Sequence, residues 1–474
     1  MVVQHNITAM NANRMLGTTT SALAKSTEKL SSGYRINRAA DDAAGLSISE
    51  KMRKQIRGLD QASTNAEDGV SAVQTAEGAL TEVHSMLQRM NELATQAANG
   101  TNSEDDRSAI QDEISQLTTE IDRVAETTKF NEIYLLKGDE NKKNVYMNGH
   151  DAGLKGTLTD GATTATFKVE AGALDAGKKV TIGGKEYTIG AVAKDGQDLV
   201  TAQEKANGKI TVNGTEYTYN NTDKKWQDSA GNDVQIGTGA AAGKIVIGAG
   251  DTVSDGTKTL TVMTDAKKAD GTAGSDGVDD TDSTVITAAH AVELMTAELT
   301  SANNIGTSDQ AATVAAGVAY NSTDGVTFTI TKGYATVADR LSFSLHVGSD
   351  ADMTNKINVD IETMNSGYLG IKNLNVSDDS GKAATYAIDA ISDAISKVSS
   401  QRSSLGAVQN RLEHTIDNLD NVVENTTSAE SRIRDTDMAE EMVTYSKNSI
   451  LQQAGQSMLA QANQANQGVL SLLQ

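Results

Sequence analysis

Apolar residues recur every seven positions along one stretch of the chain, from about Ala43 to about Asn99. A second apolar or small residue follows each of them three positions later, which is the a/d spacing of a heptad. The residues of this seam are Leu59, Ala62, Ala66, Gly69, Val73, Ala76, Leu80, Val83, Leu87, Met90, Ala94 and Ala97. The pattern predicts one helix roughly 80 Å long at about 1.5 Å per residue. Such a helix needs partner helices along most of its length, because one apolar stripe cannot bury itself.

Two further segments have the same period and are predicted to be those partners. Ser103 is a good N-cap after the break at Asn99-Gly100, and apolar residues then follow at Ile110, Ile114, Leu117, Ile121 and Val124. This second helix should run antiparallel to the first and end near Phe130. The third helix is predicted from the four-three rhythm of Ala384, Ile388, Ile391, Ile395, Val398, Leu405, Leu412, Ile416, Leu419 and Val423.

Both ends of the chain have weaker heptads. Leu16, Leu23 and Leu30 are seven residues apart near the start, and Leu451, Met458, Ala465 and Leu472 are seven apart near the end. The other faces of both segments are rich in Ser, Thr, Asn and Gln and carry few charges. Because neither seam can bury itself alone, we expect both segments to be disordered in a free monomer.

The middle of the chain, residues 139–339, has a different composition and is predicted to be β-rich. It holds most of the 41 glycines and contains a repeat, with residues 180–189 (VTIGGKEYTI) recurring as residues 210–219 (ITVNGTEYTY). Each copy indicates a hairpin about a Gly-Gly or Asn-Gly turn. Residues 285–299 suggest one short helix. Alternation at residues 341–347 and 356–361 predicts a further hairpin. The fold class is therefore mainly α with a β-rich insertion.

Composition excludes several classes of function. The net charge of −22 disfavours nucleic acid and anionic membranes as partners. The absence of cysteine removes disulfides, thiolate catalysis and cysteine-ligated metals. There is also no proline, where average usage gives roughly 24 in such a chain, as suits long uninterrupted helices. The sequence contains no run of 18 apolar residues, so no membrane-spanning helix is predicted. The first residues do not have the pattern of a secretory signal peptide.

Motifs near both ends carry a specific resemblance. The N-terminal ones are ITAMNA at residues 7–12, KLSSGYRIN at 29–37 and AADDAAGL at 39–46. The C-terminal ones are SSLGAVQNRL at 403–412 and AESRIRDTDMAEE at 429–441. Over residues 1–138 and 340–474 the chain closely resembles bacterial flagellin, the subunit of the flagellar filament. The middle third shows no such resemblance, and flagellins vary widely there.

The resemblance implies a fold of stacked layers in a helical homopolymer. Residues 1–44 and 435–474 would pair as an inner coiled coil, with Leu16, Leu23, Leu30, Leu451, Met458, Ala465 and Leu472 as its assembly seam. Residues 45–138 and 340–434 would form the surrounding tube, and residues 139–339 would project outward. The protein would be extracellular, in the flagellar filament. Its partners would be other copies of itself, an export chaperone, the type III export apparatus, the filament cap and hook-associated junction proteins.

The resemblance also implies recognition by an animal Toll-like receptor that senses flagellin. The matching positions are Gln88, Arg89, Leu93 and Gln96 on the first long helix and Glu113 on the second. Asn91 stands where arginine is frequent in the family. The same residues are equally suited to contacts between subunits.

Enzymatic and cofactor-binding functions lack support in the sequence. None of the six histidines begins an H-E-x-x-H motif, and His290 reads as a lone surface histidine. Asp276, Asp279, Asp280 and Asp282 do not have the spacing of a calcium loop. We therefore expect no catalysis and no cofactor. The alternative within the same axial class is a hook–filament junction protein, which would differ from a filament subunit in copy number. A non-flagellar coiled-coil adhesin is a third possibility, but it disagrees with the motifs at residues 39–46 and 432–441.

Overall fold

The computed structural model describes residues 6–237, 244–268, 272–317, 319–378 and 381–472, with the side chains of residues 237, 244 and 465–472 outside the description. The helices are α1 (Ile7–Ser32), α2 (Ala43–Ala97), α3 (Glu104–Thr127), α4 (Ala193–Ala206), α5 (Ala288–Asn303), α6 (Ser366–Leu369), α7 (Lys382–Arg434) and α8 (Met438–Leu472). The expected class, mainly α with a β-rich centre, is confirmed.

The strands lie between α3 and α7. They are β1 (Lys129–Phe130), β2 (Ile133–Tyr134), β3 (Lys142–Tyr146), β4 (Thr157–Asp160), β5 (Thr164–Val169), β6 (Lys179–Ile182), β7 (Lys185–Ile189), β8 (Lys209–Val212), β9 (Thr215–Asn220), β10 (Lys225–Gln227), β11 (Asp233–Gly237), β12 (Lys244–Val246), β13 (Thr252–Ser254), β14 (Thr259–Thr261), β15 (Val285–Ile286), β16 (Thr313–Ala316), β17 (Val326–Thr331), β18 (Tyr334–Ala338), β19 (Leu341–His346) and β20 (Lys356–Ile361). A 3-10 turn, Met353–Asn355, precedes β20.

The chain folds into two compact units. The first contains residues 1–73, 343–359 and 406–474, and the second contains residues 74–342 and 360–405. These divisions fall within α2 and α7 rather than at residues 44, 139, 339 or 434. The three-part organisation drawn from the resemblance therefore stays a prediction.

Helix α2 begins and ends close to the predicted residues, and all twelve positions of its a/d seam are buried. Near the start of α2, the Asp42 carboxylate accepts a hydrogen bond from the backbone N–H of Gly45 at 2.8 Å. At its end, the buried Arg107 of α3 donates from Nε to the carbonyl of Ala97 at 3.2 Å. Arg107 thus satisfies an acceptor that a helix C-terminus leaves without an intrahelical partner.

Helix α3 begins as predicted, since Ser103 caps it in a reciprocal capping box with Asp106. Its predicted end near Phe130 is wrong by three residues, because Lys129–Phe130 pairs with Ile133–Tyr134 as a short hairpin. The turn of that hairpin holds Asn131 and Glu132, both at positive φ.

The helical core of the first unit is built by α2, α7 and the β19–β20 hairpin. Ala66 of α2 and Leu412 of α7 pack with Val347 and Ile357 from the hairpin segment. Leu59, Ala62 and Leu419 form a second cluster along the same two helices. The apolar seam predicted for α7 therefore packs against α2 in this unit, as their shared alternation of four- and three-residue spacings predicts.

In the second unit, the two repeated hairpins form as predicted but lie in different sheets. Hairpin β6–β7 belongs to a three-stranded sheet of order β15-β7-β6, and β8–β9 belongs to a seven-stranded sheet of order β12-β11-β10-β9-β8-β13-β14. Each hairpin carries the same cross-strand ion pair, Lys179–Glu186 at 2.6 Å and Lys209–Glu216 at 2.7 Å. A four-stranded sheet has the order β16-β17-β5-β4.

The seven-stranded sheet and α4 have a core of their own, which we call the α4 module (residues 193–262). Its buried residues are Val200, Ile210, Val212, Trp226, Ile236, Ile247, Val253 and Val262. The chain enters and leaves it side by side, since Ala191 and Val262 form a parallel β-bridge. Helix α4 was not predicted. The helix predicted over residues 285–299 is in fact strand β15 followed by α5, because Thr287 is the N-cap.

Candidate functional site

Helices α1 and α8 of the first unit pack against each other as an antiparallel pair. Asn6 Nδ2 donates to the carbonyl of Ala462 at 3.0 Å, and Gln452 Nε2 donates to Thr20 Oγ1 at 3.4 Å. Lys29 and Glu441 form an ion pair at 3.7 Å. Because residue numbers fall along α8 as they rise along α1, the two helices run in opposite directions.

The α1 side of this pair uses the predicted seam. Buried or half-buried residues of α1 recur with alternating spacings of three and four at Ala9, Ala12, Leu16, Thr19, Leu23, Ser26 and Leu30. Leu16, Leu23 and Leu30 therefore face α8. The row is narrow and its polar members alternate with leucine, which matches the weak pattern seen in the sequence.

The α8 side uses a different row from the one predicted. Half-buried residues recur at Glu441, Tyr445, Asn448, Gln452, Gly455, Leu459 and Ala462, again with alternating spacings of four and three. Leu451 and Met458 lie one residue before this row and are exposed. They therefore do not face α1. The side chains of Ala465 and Leu472 lie outside the described residues.

Leu451 and Met458 belong to an apolar surface that we call the α8 outer face, formed by Met442, Val443, Ile450, Leu451 and Met458. These five side chains are between 47% and 70% exposed. On α1, Ile7, Met10 and Met15 are also exposed large apolar residues. Unpartnered apolar residues at this density are unusual for a surface that faces only water. The sequence contains two adjacent apolar heptad rows on α8, residues 443/450 and residues 451/458. Only the second row was included in the predicted assembly seam.

The segments α1–α2 and α7–α8 are tied together where both helix pairs break. Arg35 donates its backbone N–H to the carbonyl of Arg434 at 2.7 Å, and Thr436 donates to the carbonyl of Gly33 at 3.0 Å. The Arg434 guanidinium lies 4.7 Å from the centre of the Tyr34 ring and pairs with Glu50 at 3.0 Å. Sequence reasoning noted these motifs only as family signatures and missed the contact between them.

The residues expected at a receptor or subunit contact lie on α2 and α3 in the second unit. Arg89 Nε donates to Glu113 Oε1 at 2.9 Å, and Arg89 Nη1 donates to Glu92 Oε2 at 3.2 Å. The hydrogen bond to Glu113, followed by that to Glu92, raises the pKa of Arg89 above its usual value.

Gln88 and Gln96 are exposed on the same helix as Arg89. Leu93 is different, because it is only 2% exposed and belongs to the packed core. Gln88, Arg89, Gln96 and Glu113 are thus exposed and accessible, whereas Leu93 packs in the core of the same unit.

The histidine and the aspartates considered for catalysis or metal binding make contacts within the central region. His290 is half-buried rather than a free surface residue, with Nδ1 3.5 Å from Glu293 Oε2. Asp279 and Asp280 accept backbone hydrogen bonds from Thr264, Ala266 and Lys267, which holds two loop segments together. Within the described ranges no group of His, Asp and Glu is arranged to hold a metal ion. In the same part of the chain no helix is both long and apolar enough to cross a membrane.

Comparisons with known proteins identify the family. A profile described as the bacterial flagellin N-terminal helical region matches residues 3–141, and one described as the C-terminal helical region matches residues 388–473. A flagellin from Clostridium tyrobutyricum is 39% identical, covering 98% of this chain and all of the relative. The chain belongs to the bacterial flagellin family. This flagellin is accordingly a subunit of the flagellar filament, and the resemblance drawn from the terminal motifs is confirmed.

A second relative also aligns over the whole chain. A flagellin from Bacillus subtilis (strain 168) is 35% identical, covering all of both chains. These alignments run through the middle third, where no resemblance was expected. A solved structure of FliC from Burkholderia pseudomallei aligns with 72% of this chain and 99% of that chain, at 20% identity and a TM-score of 0.28.

Proposed function

We propose that this flagellin polymerises by burying the α8 outer face, together with the exposed apolar residues of α1, against neighbouring copies. The observation that carries the proposal is the exposure of the α8 outer face while the other side of α8 is occupied by α1. Burying apolar surface contributes about 25 cal/mol per Å², so a repeated apolar contact along a filament is a strong driving force.

Folding and assembly are coupled in this proposal. Four of the seven residues in the row by which α8 meets α1, namely Glu441, Asn448, Gln452 and Gly455, bury little apolar surface. The pair therefore gains little from its internal contact, and its two helices become fully ordered only when neighbours cover their outer faces. This order also delays polymerisation until subunits meet a growing end.

Removal of residues 448–474 tests the role of the pair. The truncated chain loses Ile450, Leu451 and Met458 while both clusters of apolar side chains between α2, α7 and the hairpin remain. We expect a soluble helical monomer that does not extend filament seeds. Normal polymerisation of the truncated chain would contradict the proposal.

Export and axial partners follow from the proposed role. The protein is secreted through the flagellar type III apparatus with an export chaperone, adds beneath the filament cap and meets hook-associated junction proteins at the filament base. The inner pair (1–44 and 435–474), the tube (45–138 and 340–434) and the outward insertion (139–339) are the proposed layers. The role is structural and requires no catalysis. Quantitative mass spectrometry of isolated flagella separates it from the junction alternative, since a filament subunit is present in thousands of copies.

We also propose that Gln88, Arg89, Gln96 and Glu113 form a contact for the animal Toll-like receptor that senses flagellin. The support is the exposed Arg89–Glu113 ion pair, which joins α2 and α3 into one polar surface. Leu93 positions that surface from the core and does not touch the partner. Receptor titration with Arg89→Ala should show weakened binding, and undiminished binding by this variant would contradict the contact.

A further inference from the structure

The described methionines of this chain are exposed, half-buried or buried, and Met52 and Met86 of α2 are the two half-buried ones. The chain has 14 methionines, and all except Met1 lie among the described residues. Those exposed on the terminal helices are Met10, Met15, Met438, Met442 and Met458, while those buried in the second unit are Met90, Met147, Met263, Met295 and Met364. Met353, in the short turn before β20, is 75% exposed and lies on neither terminal helix.

The terminal methionines lie where a change in polarity matters most. Met442 lines an open apolar groove on α8 with Val443, Ser446, Lys447, Ile450 and Leu451. Met458 continues the same face, two turns beyond Leu451. Methionine is well suited to such a surface because its flexible thioether adapts to an irregular partner. The same thioether is also the most readily oxidised group on that surface.

We propose that the exposed methionines of α1 and α8 are a reversible oxidation site that controls addition of the subunit to the filament. The reactant is a peroxide. Its O–O bond breaks, one oxygen bonds to the methionine sulfur, and the other oxygen leaves as water or alcohol. The sulfide is oxidised by two electrons to the sulfoxide and the peroxide is reduced. Since the chain has no cysteine, methionine thioethers are its only sulfur groups, and these five are among the six described methionines that are exposed.

Oxidation converts an apolar side chain into a polar one, and methionine sulfoxide reductases reverse the change. A sulfoxide at Met442 or Met458 would have to be buried against a neighbouring subunit without a designed hydrogen-bond partner, which is unfavourable. An oxidised subunit therefore adds poorly to a filament end until it is reduced. This inference rests on the proposed role of the α8 outer face in polymerisation.

The first measurement is the rate of oxidation at each methionine. Monomer is treated with hydrogen peroxide, and the sulfoxide fraction of each peptide is followed by mass spectrometry. We expect Met10, Met15, Met438, Met442 and Met458 to oxidise together with Met353, well ahead of Met90 and Met295. Equal rates at exposed and buried positions would overturn the proposed site.

The second measurement is seeded growth after peroxide treatment and quenching. We expect oxidised wild-type subunit to extend seeds at least about tenfold more slowly, which corresponds to a rise of about 1.4 kcal/mol in the activation free energy of addition. Treatment with methionine sulfoxide reductases A and B should restore growth. A variant with leucine at positions 10, 15, 438, 442 and 458 should keep growing after the same treatment, because leucine is apolar, similar in volume and resistant to peroxide. Met353→Leu is the matched control and should be inhibited like the wild type.

Two results distinguish failure of this inference from failure of the proposed assembly surface. If unoxidised Met442→Gln/Met458→Gln extends seeds normally, the α8 outer face is not an assembly contact. Both the proposed assembly surface and the proposed oxidation site are then wrong. If that variant fails to extend seeds but oxidised wild type grows normally, only the oxidation site is overturned. Inhibition of the five-leucine variant to the same extent as the wild type would also overturn it.

Discussion

The Cδ1 atom of Leu345 occupies the space in which a side chain at Gly69 would lie. A Cβ atom added to Gly69 would be 2.1 Å from Leu345 Cδ1 and 3.3 Å from Leu412 Cδ1. Gly69 is a d position of the α2 seam, and the two leucines come from the hairpin and from α7. The glycine thus allows three elements of the first unit to meet at one point.

Gly69→Ala should destabilise the first unit by about 1–3 kcal/mol, since the added methyl group forces neighbouring side chains from their positions. Gly78→Ala in the same helix is the control, because nothing lies within 4 Å of the Cβ it would add. The control should gain up to about 1 kcal/mol from helix propensity. Urea denaturation of the two monomers measures both effects. An equal gain in the two variants would show that the packing at Gly69 is looser than described.

Leu80→Ala should lower the melting temperature of the monomer, at a cost of about 2–5 kcal/mol, because Leu80 is fully buried in the α2 seam. Arg89→Ala should leave the melting temperature almost unchanged, since Arg89 is an exposed residue nine positions further along the same helix. Thermal melts of the two variants compare a seam position with a surface position. Early melting of Arg89→Ala would mean that the assigned contact surface is part of the core.

The long helices could be predicted from sequence because their information is local and repeated. A seam such as Leu80, Leu87 and Ala94 specifies both the helix and its buried face. Helix α4 and strand β15 could not be predicted in this way, since Val200 and Ile286 are placed by packing against distant strands. The repeated hairpins were visible through their Gly-Gly and Asn-Gly turns, yet nothing local tells which sheet each one joins.

The pH dependence of the second unit should include a contribution from Asp389 of α7. Burial raises the pKa of its carboxyl group, the charge of His150 opposes this, and the carboxylates of Asp151 and Asp393 raise the pKa further. A raised pKa means that the fold favours the protonated form, so this contribution to stability is lost as pH rises through the folded-state value.

Asp389→Asn should therefore be more stable than the wild type at pH 7. The difference should shrink on acidification and vanish below the ordinary aspartate value of about 3.9. Urea titrations of both proteins between pH 3 and 7 measure it. An advantage of the variant that grows as the pH falls would contradict the assignment.

The α4 module should be removable without loss of the rest of the protein. Its core residues all lie within residues 193–262, and the β-bridge between Ala191 and Val262 holds the entering and leaving strands together. Replacing residues 193–261 by a short Gly-Ser linker should preserve the melting of the helices and seeded growth. Loss of helical signal by circular dichroism would show that the module supports the helical part of the chain.

The candidate assembly surface was only half predictable. On α1, Leu16, Leu23 and Leu30 are the most apolar heptad row, and they do face α8. On α8, the most apolar rows point away from α1, which is what the proposed contact with neighbouring copies requires. A single sequence does not reveal which apolar face belongs to the monomer and which belongs to the polymer.

The central claim is that the α8 outer face is a contact between subunits, and seeded filament growth tests it most directly. Val443→Gln/Ile450→Gln makes that face polar without touching the row that meets α1. Val443→Ile/Ile450→Val is the control, since it keeps both positions apolar and the total side-chain volume unchanged. We predict that the first variant melts like the wild-type monomer and fails to extend seeds, while the control extends them normally. Wild-type growth by the Val443→Gln/Ile450→Gln variant would contradict the account.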